Sequence, residues 1–156
     1  MAKSIMQKIV VFACLLFAVQ AGAADLREEL MNAPPEKQLA FLNAPNSSWT
    51  KLDPLVVARF RSLLNQLNQC YSENDRQIAD WTVQMQEALE TYGIKESLLN
   101  LMEGMNSASL GVRSDSKRSY HDDLTNYAVL RNKGWTHKDA IKGTMEFIEG
   151  LRPREP

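Results

Sequence analysis

The side chains of this chain that could support chemistry are few: two histidines, two cysteines and a scatter of acid pairs. Tyr120-His121-Asp122-Asp123 first suggests a metal or an acid/base pair. Consecutive helical residues point about 100° apart, so these side chains cannot converge on one ion. Partners on a helix sit three or four apart. Four residues after His121 stands Thr125, and four after Asp122 stands Asn126, neither of which makes a ligand pair. His137 leads Ile141 by four and reads as a first-turn histidine against an apolar edge. We therefore assign no catalytic, cofactor or metal site to either histidine.

The acid pairs Glu87/Glu90 and Glu146/Glu149 are three apart. A glycosidase needs two carboxylates flanking one cleft. Here each pair falls opposite the apolar stripe of its own helix, which makes it a solvated face. No G-x-S-x-G elbow is present, and the seven glycines are too scattered for a phosphate loop. The balance leans away from an enzyme.

Cys70 and two tryptophans remain. Cys70 sits at the border of a helical stripe, where it reads either as a small hydrophobe at the core edge or as a free thiol able to bridge two chains. Trp49 and Trp135 fall near helix ends or loops, where an aromatic can anchor a partner; Trp81 fits a core position better. Asn46-Ser47-Ser48 matches the N-glycosylation acceptor pattern, which matters only in a host that glycosylates exported proteins.

The elements that position these residues begin after an address. Lys3 and Lys8 precede the apolar run Ile9 to Val19, and Ala21-Gly22-Ala23 follows. A basic start, a short apolar middle and an A-x-A end make a secretory signal peptide, cleaved between Ala23 and Ala24. The run is shorter than the roughly 20 residues that span a bilayer. Cys14 lies inside it rather than at the cleavage point, which argues against a lipoprotein. Removal of the leader makes Cys70 the sole thiol and excludes an intramolecular disulfide.

The domain expected is 24–156, within the 156 residues of the whole chain. Apolar spacing of three and four dominates it. Two short helices, Asp25–Ala33 and Pro35–Asn43, flank Pro34-Pro35 and complete an N-terminal segment, 24–52, with the loop after them. The central segment, 53–103, opens with Asp53 as cap and Pro54 at the first helical position. It continues through a helix announced by Ser72 and Asp75 and ended by Gly93, then a shorter one over Lys95–Glu103. The small and polar residues 104–116 read as a loop. A helical hairpin, 117–152, ends the domain, with Gly134 closing one helix and Thr136 capping the next. The expectation is an all-α compact bundle of about five or six short amphipathic helices.

With 18 Lys+Arg against 19 Asp+Glu and a net charge of −1, the chain has no basic face for nucleic acid. Leu130 to Ile141 loosely resembles a helix-turn-helix, but such a turn is ordinary helix-pair grammar. No apolar run after the leader approaches spanning length. The leading expectation is an exported helical protein, periplasmic if bacterial and with extracellular release open, that binds another macromolecule, a protein first of all, without catalysis, as an inhibitor, immunity or assembly factor. One alternative is an enzyme with an unrecognised site involving Cys70 or a histidine, His121 or His137. Another is a self-associating protein, such as a homodimer bridged through Cys70. N-terminal sequencing of the protein purified from its native cells should read from Ala24 onward; an intact Met1 terminus would contradict the leader.

Overall fold

The computed structural model describes residues 28–44, 48–110 and 117–150. The cleavage pair Ala23 and Ala24, and Asn46 and Ser47 of the acceptor pattern, lie outside the described residues. The chain divides into two units, Met1–Ala33 and Pro34–Pro156. In the first, residues 28–32 are helical, and the Ala33 N–H donates to the Leu30 carbonyl at 3.3 Å.

The second unit is all-α. Its described helices are α1 (Pro35–Asn43), α2 (Pro54–Cys70), α3 (Asp75–Thr91), α4 (Leu98–Leu110), α5 (Tyr120–Asn132) and α6 (His137–Gly150), with a 3-10 turn at Trp49–Lys51. Among the described residues there is no strand, only one isolated parallel bridge between Tyr71 and Arg118. No described helix is long and apolar enough to cross a membrane.

The helix ends follow their local chemistry. Asp53 accepts the Leu55 N–H at 2.8 Å, and Pro54 stands where its missing N–H would have no partner anyway. Thr136 accepts the Asp139 N–H at 3.2 Å and donates its hydroxyl to Asp139 at 2.6 Å. Gly93 and Gly134 adopt φ of +75° and +87°. In each case the glycine N–H reaches back three residues and the next N–H five, which ties off the carbonyls of the last turn.

One cap differs from expectation. Asn74, rather than Ser72, caps α3, in a reciprocal box with Gln77. Ser72 is engaged elsewhere, its N–H donating to the Arg118 carbonyl at 2.8 Å.

The core centres on α4, which packs against α1, α2, α3 and α6. Leu98, Leu101, Met102, Met105 and Ala108 have no exposed surface. Each large side chain so buried contributes about 1.5–3 kcal/mol. The facing stripes are Phe60, Leu63, Leu64 and Leu67 of α2 and Ile78 and Leu89 of α3, and Leu124 and Tyr127 of α5 join the same core.

The expected loop over 104–116 is therefore corrected: residues 104–110 continue α4, and 111–116 lie outside the described residues. The small residues there serve close packing. A Cβ built on Gly104 would stand 2.5 Å from Ile141 Cδ1, 2.9 Å from its Cγ1 and 3.1 Å from His137 Cε1. Bare backbone at Gly104 thus lets α6 approach α4. Gly104→Ala should lose about 1–3 kcal/mol of stability in urea unfolding through overpacking. Adding Ile141→Val, which removes the clashing Cδ1, should return part of that loss; an unchanged midpoint for the single variant would contradict the close approach.

Candidate functional site

Two polar clusters and one exposed aromatic depression gather the candidate residues. The first cluster surrounds Cys70, at the C-terminus of α2. The thiol is partly buried and packs against the core, as its border position implied. The Cys70 carbonyl accepts the Arg118 N–H at 3.1 Å. Beside it the Arg118 guanidinium donates to Asp123 at 3.1 Å and to the Tyr71 hydroxyl at 3.3 Å, and lies 5.1 Å from the Tyr71 ring centroid. Burial pushes the Asp123 carboxyl above its ordinary range, and the guanidinium offsets only part of that. Tyr71 stacks edge-on against Tyr120 at 5.1 Å. The Thr82 hydroxyl donates to the Ile78 carbonyl, so the Tyr120 hydroxyl, 2.9 Å away, donates to Thr82.

Glu73 ties this cluster to α5. Its carboxylate accepts the Tyr120 N–H at 2.9 Å, the His121 N–H at 3.3 Å and the hydroxyls of Ser72 and Ser119. Burial alone would raise its pKa; the donated backbone N–H groups prevail and lower it. Ser119 accepts the Asp122 N–H, so two side chains cap one helix start.

His121 lies over Trp81, ring centroids 4.1 Å apart, with its Nδ1 3.6 Å from Asp122. Asp123 turns inward to Arg118, so the adjacent acids diverge as the helical geometry requires. Among the described residues no group of three His, Cys, Asp or Glu gathers around a point. Glu87, Glu90, Glu146 and Glu149 are exposed.

The second cluster lies under the α5–α6 turn. His137 Nδ1 is 2.8 Å from the Tyr127 hydroxyl and 3.6 Å from Glu96. Burial, then the Glu96 charge, push the Tyr127 phenol above its ordinary range, so it stays protonated. Glu96, in the link between α3 and α4, is almost wholly buried and accepts from Arg131 at 2.7 Å. Arg131 uses its other terminal nitrogen to donate to the Trp135 carbonyl at 2.6 Å. The partners of His121 and His137 do not include Cys70, so the structure does not bring the thiol and an imidazole into hydrogen-bond reach.

Trp135 is the exposed end of this arrangement, with 44% of its surface accessible. Its N–H donates to the Leu130 carbonyl at 3.2 Å. Its ring rests on α6 at Gly143, where a Cβ would meet Trp135 Cζ3 at 3.1 Å and Leu130 Cδ1 at 2.8 Å. An open depression of roughly 500 Å³ surrounds it, lined also by Thr136, Asp139, Lys142 and Glu146. Phe147, half-exposed, stands one turn beyond Gly143. Trp49 is more enclosed, edge-on to Phe41 at 5.6 Å. Sequence reasoning singled out Trp135 but missed its supports, Arg131, Glu96 and Gly143. Only the mid-helix glycine carried a local signal of close approach.

A family model matches residues 39–147. The chain belongs to the MoxZ family. Among curated proteins and among solved structures nothing matches it. The MoxZ match runs from buried Leu39 in α1 to Phe147 in α6, and so encloses both polar clusters and the depression.

The Glu73 cap gives a pH-dependent prediction for this MoxZ-family chain. A carboxyl held below its ordinary value stabilises the fold above that value, and the contribution is lost as pH falls through the lowered one. Glu73→Gln should therefore reduce stability by about 1 kcal/mol near neutrality. In urea titrations the gap between variant and parent should close below about pH 4; a gap independent of pH would show that charge plays no part.

Proposed function

We propose that this chain is an exported accessory protein of methanol oxidation, of the assembly-factor type, acting in the periplasm by binding another protein rather than by catalysis. The observation that carries this reading is the MoxZ family match over residues 39–147, the family being an accessory one associated with methanol oxidation. The leader read at Lys3–Ala23 supports export. The lack of contact between Cys70 and either histidine weakens the version of the enzyme alternative that pairs them. Trp135, with Phe147 one turn beyond Gly143, supplies the kind of exposed aromatic that anchors protein partners.

The test uses tagged protein in methanol-grown cells, cross-linked in the envelope fraction and eluted with and without reductant. A stoichiometric component of the methanol-oxidising machinery should be recovered. Deletion of the chain should lower methanol oxidation, while the purified chain oxidises no methanol. Normal methanol oxidation in the deletion strain, or turnover of methanol by the chain alone, would overturn the proposal.

A further inference from the structure

The depression at the α5–α6 turn has a chemistry of its own. Trp135 is held by its N–H on Leu130, by its carbonyl on Arg131 and by its ring on Gly143. The Cζ3–Cε3 side of the indole is therefore packed on α6, while nearly half of the residue stays in solvent. Asp139 and Glu146, two turns apart on α6, line the same depression on either side of Gly143. One Asp139 oxygen takes the Thr136 hydroxyl, leaving the other without a partner from that cap. Among the described residues Glu146 pairs only with Lys142, at 3.6 Å, with both side chains more than half exposed, a pair that water screens and competition displaces.

We propose that this depression docks an arginine side chain of a protein partner. The guanidinium packs on the exposed part of Trp135 while its N–H groups donate to Asp139 and Glu146, and Lys142 swings outward. The other chemistries fit less well. An apolar side chain would strip water from two carboxylates and return no hydrogen bond. An acidic group would meet two carboxylates against the single ammonium of Lys142. Lysine is a point charge that cannot lie flat on an indole and serve two separated acceptors at once. The positioning already present removes much of the ordering that binding would otherwise require. This inference rests on the reading of the chain as a protein-binding accessory factor, but its first test, with small probes, does not need the natural partner.

The probes are N-acetyl-arginine amide, its uncharged near-isostere N-acetyl-citrulline amide, and N-acetyl-glutamate amide, titrated into the full chain. The readout is the indole N–H resonance of Trp135, assigned by its loss in Trp135→Phe. The arginine derivative should shift this resonance saturably, and added salt should weaken the binding. The citrulline derivative should bind roughly tenfold more weakly or less. Glu146→Gln, which removes no helix cap, should weaken arginine binding by several-fold while leaving the remaining spectrum in place.

Equal shifts from citrulline and arginine, preference for the glutamate derivative, or no saturable shift would overturn the proposal. Capture of the methanol-oxidation component by Trp135→Phe and Glu146→Gln as well as by the parent chain would also overturn it, while leaving the accessory function standing.

Discussion

The burial of α4 is the constraint on which the rest depends. Within Leu98–Leu110 the only charged side chain is Glu103, and apolar or small residues face α1, α2, α3 and α6. A helix enclosed on so many sides loses most of its polar options. Glu103 survives by reaching outward to Arg59 at 2.8 Å. The buried amide of Asn106 finds Gln66 at 2.7 Å. The neighbours must then fit around this rod, and the fit is tightest at Gly104.

A second close approach is built from the same device and leads towards function. Gly143 admits Leu130 and Trp135 onto α6 as Gly104 admits Ile141 and His137 onto α4. Both contacts involve α6, and the buried Glu96–Arg131 pair ties the link before α4 to the Trp135 carbonyl. A buried ion pair is a poor source of stability, because both ions lose water. It is better understood here as a register device. Arg131 holds the link before α4 and the turn before α6 in one geometry, and the exposed indole inherits that geometry.

Helix type and helix ends were legible because their signals are local. Asp53-Pro54, Gly93, Gly134 and Thr136 act within a few residues of themselves, and each acts as read. Stripe positions such as Phe60, Leu63, Leu67, Ile78, Leu124 and Tyr127 were legible because burial imposes the helical period. Residues 104–110 were misread because small residues have two meanings. They mark loops when solvent surrounds them and close packing when another helix does, and only tertiary context separates the two. The polar clusters were invisible for a related reason. Glu73 caps a helix 47 residues further on, and Glu96 meets Arg131 at a separation of 35. Neither pairing leaves a trace in spacing. Trp135 could be nominated from its place beside Gly134, yet nothing in the sequence gave its orientation.

The bridge between Tyr71 and Arg118 has a consequence for the order in which the molecule assembles. It closes a loop that contains the whole of α3 and α4. Closing so long a loop carries an entropic penalty that two backbone hydrogen bonds do not repay alone. The closure becomes favourable once α3 and α4 have collapsed against α2 and shortened the distance to be spanned. Until that moment the start of α5 has its local Ser119 cap but not the Glu73 carboxylate, which arrives only with the closure. The half of the molecule made first must stand before the exposed indole is set in place. An incompletely folded chain therefore does not hold the Trp135 depression in shape.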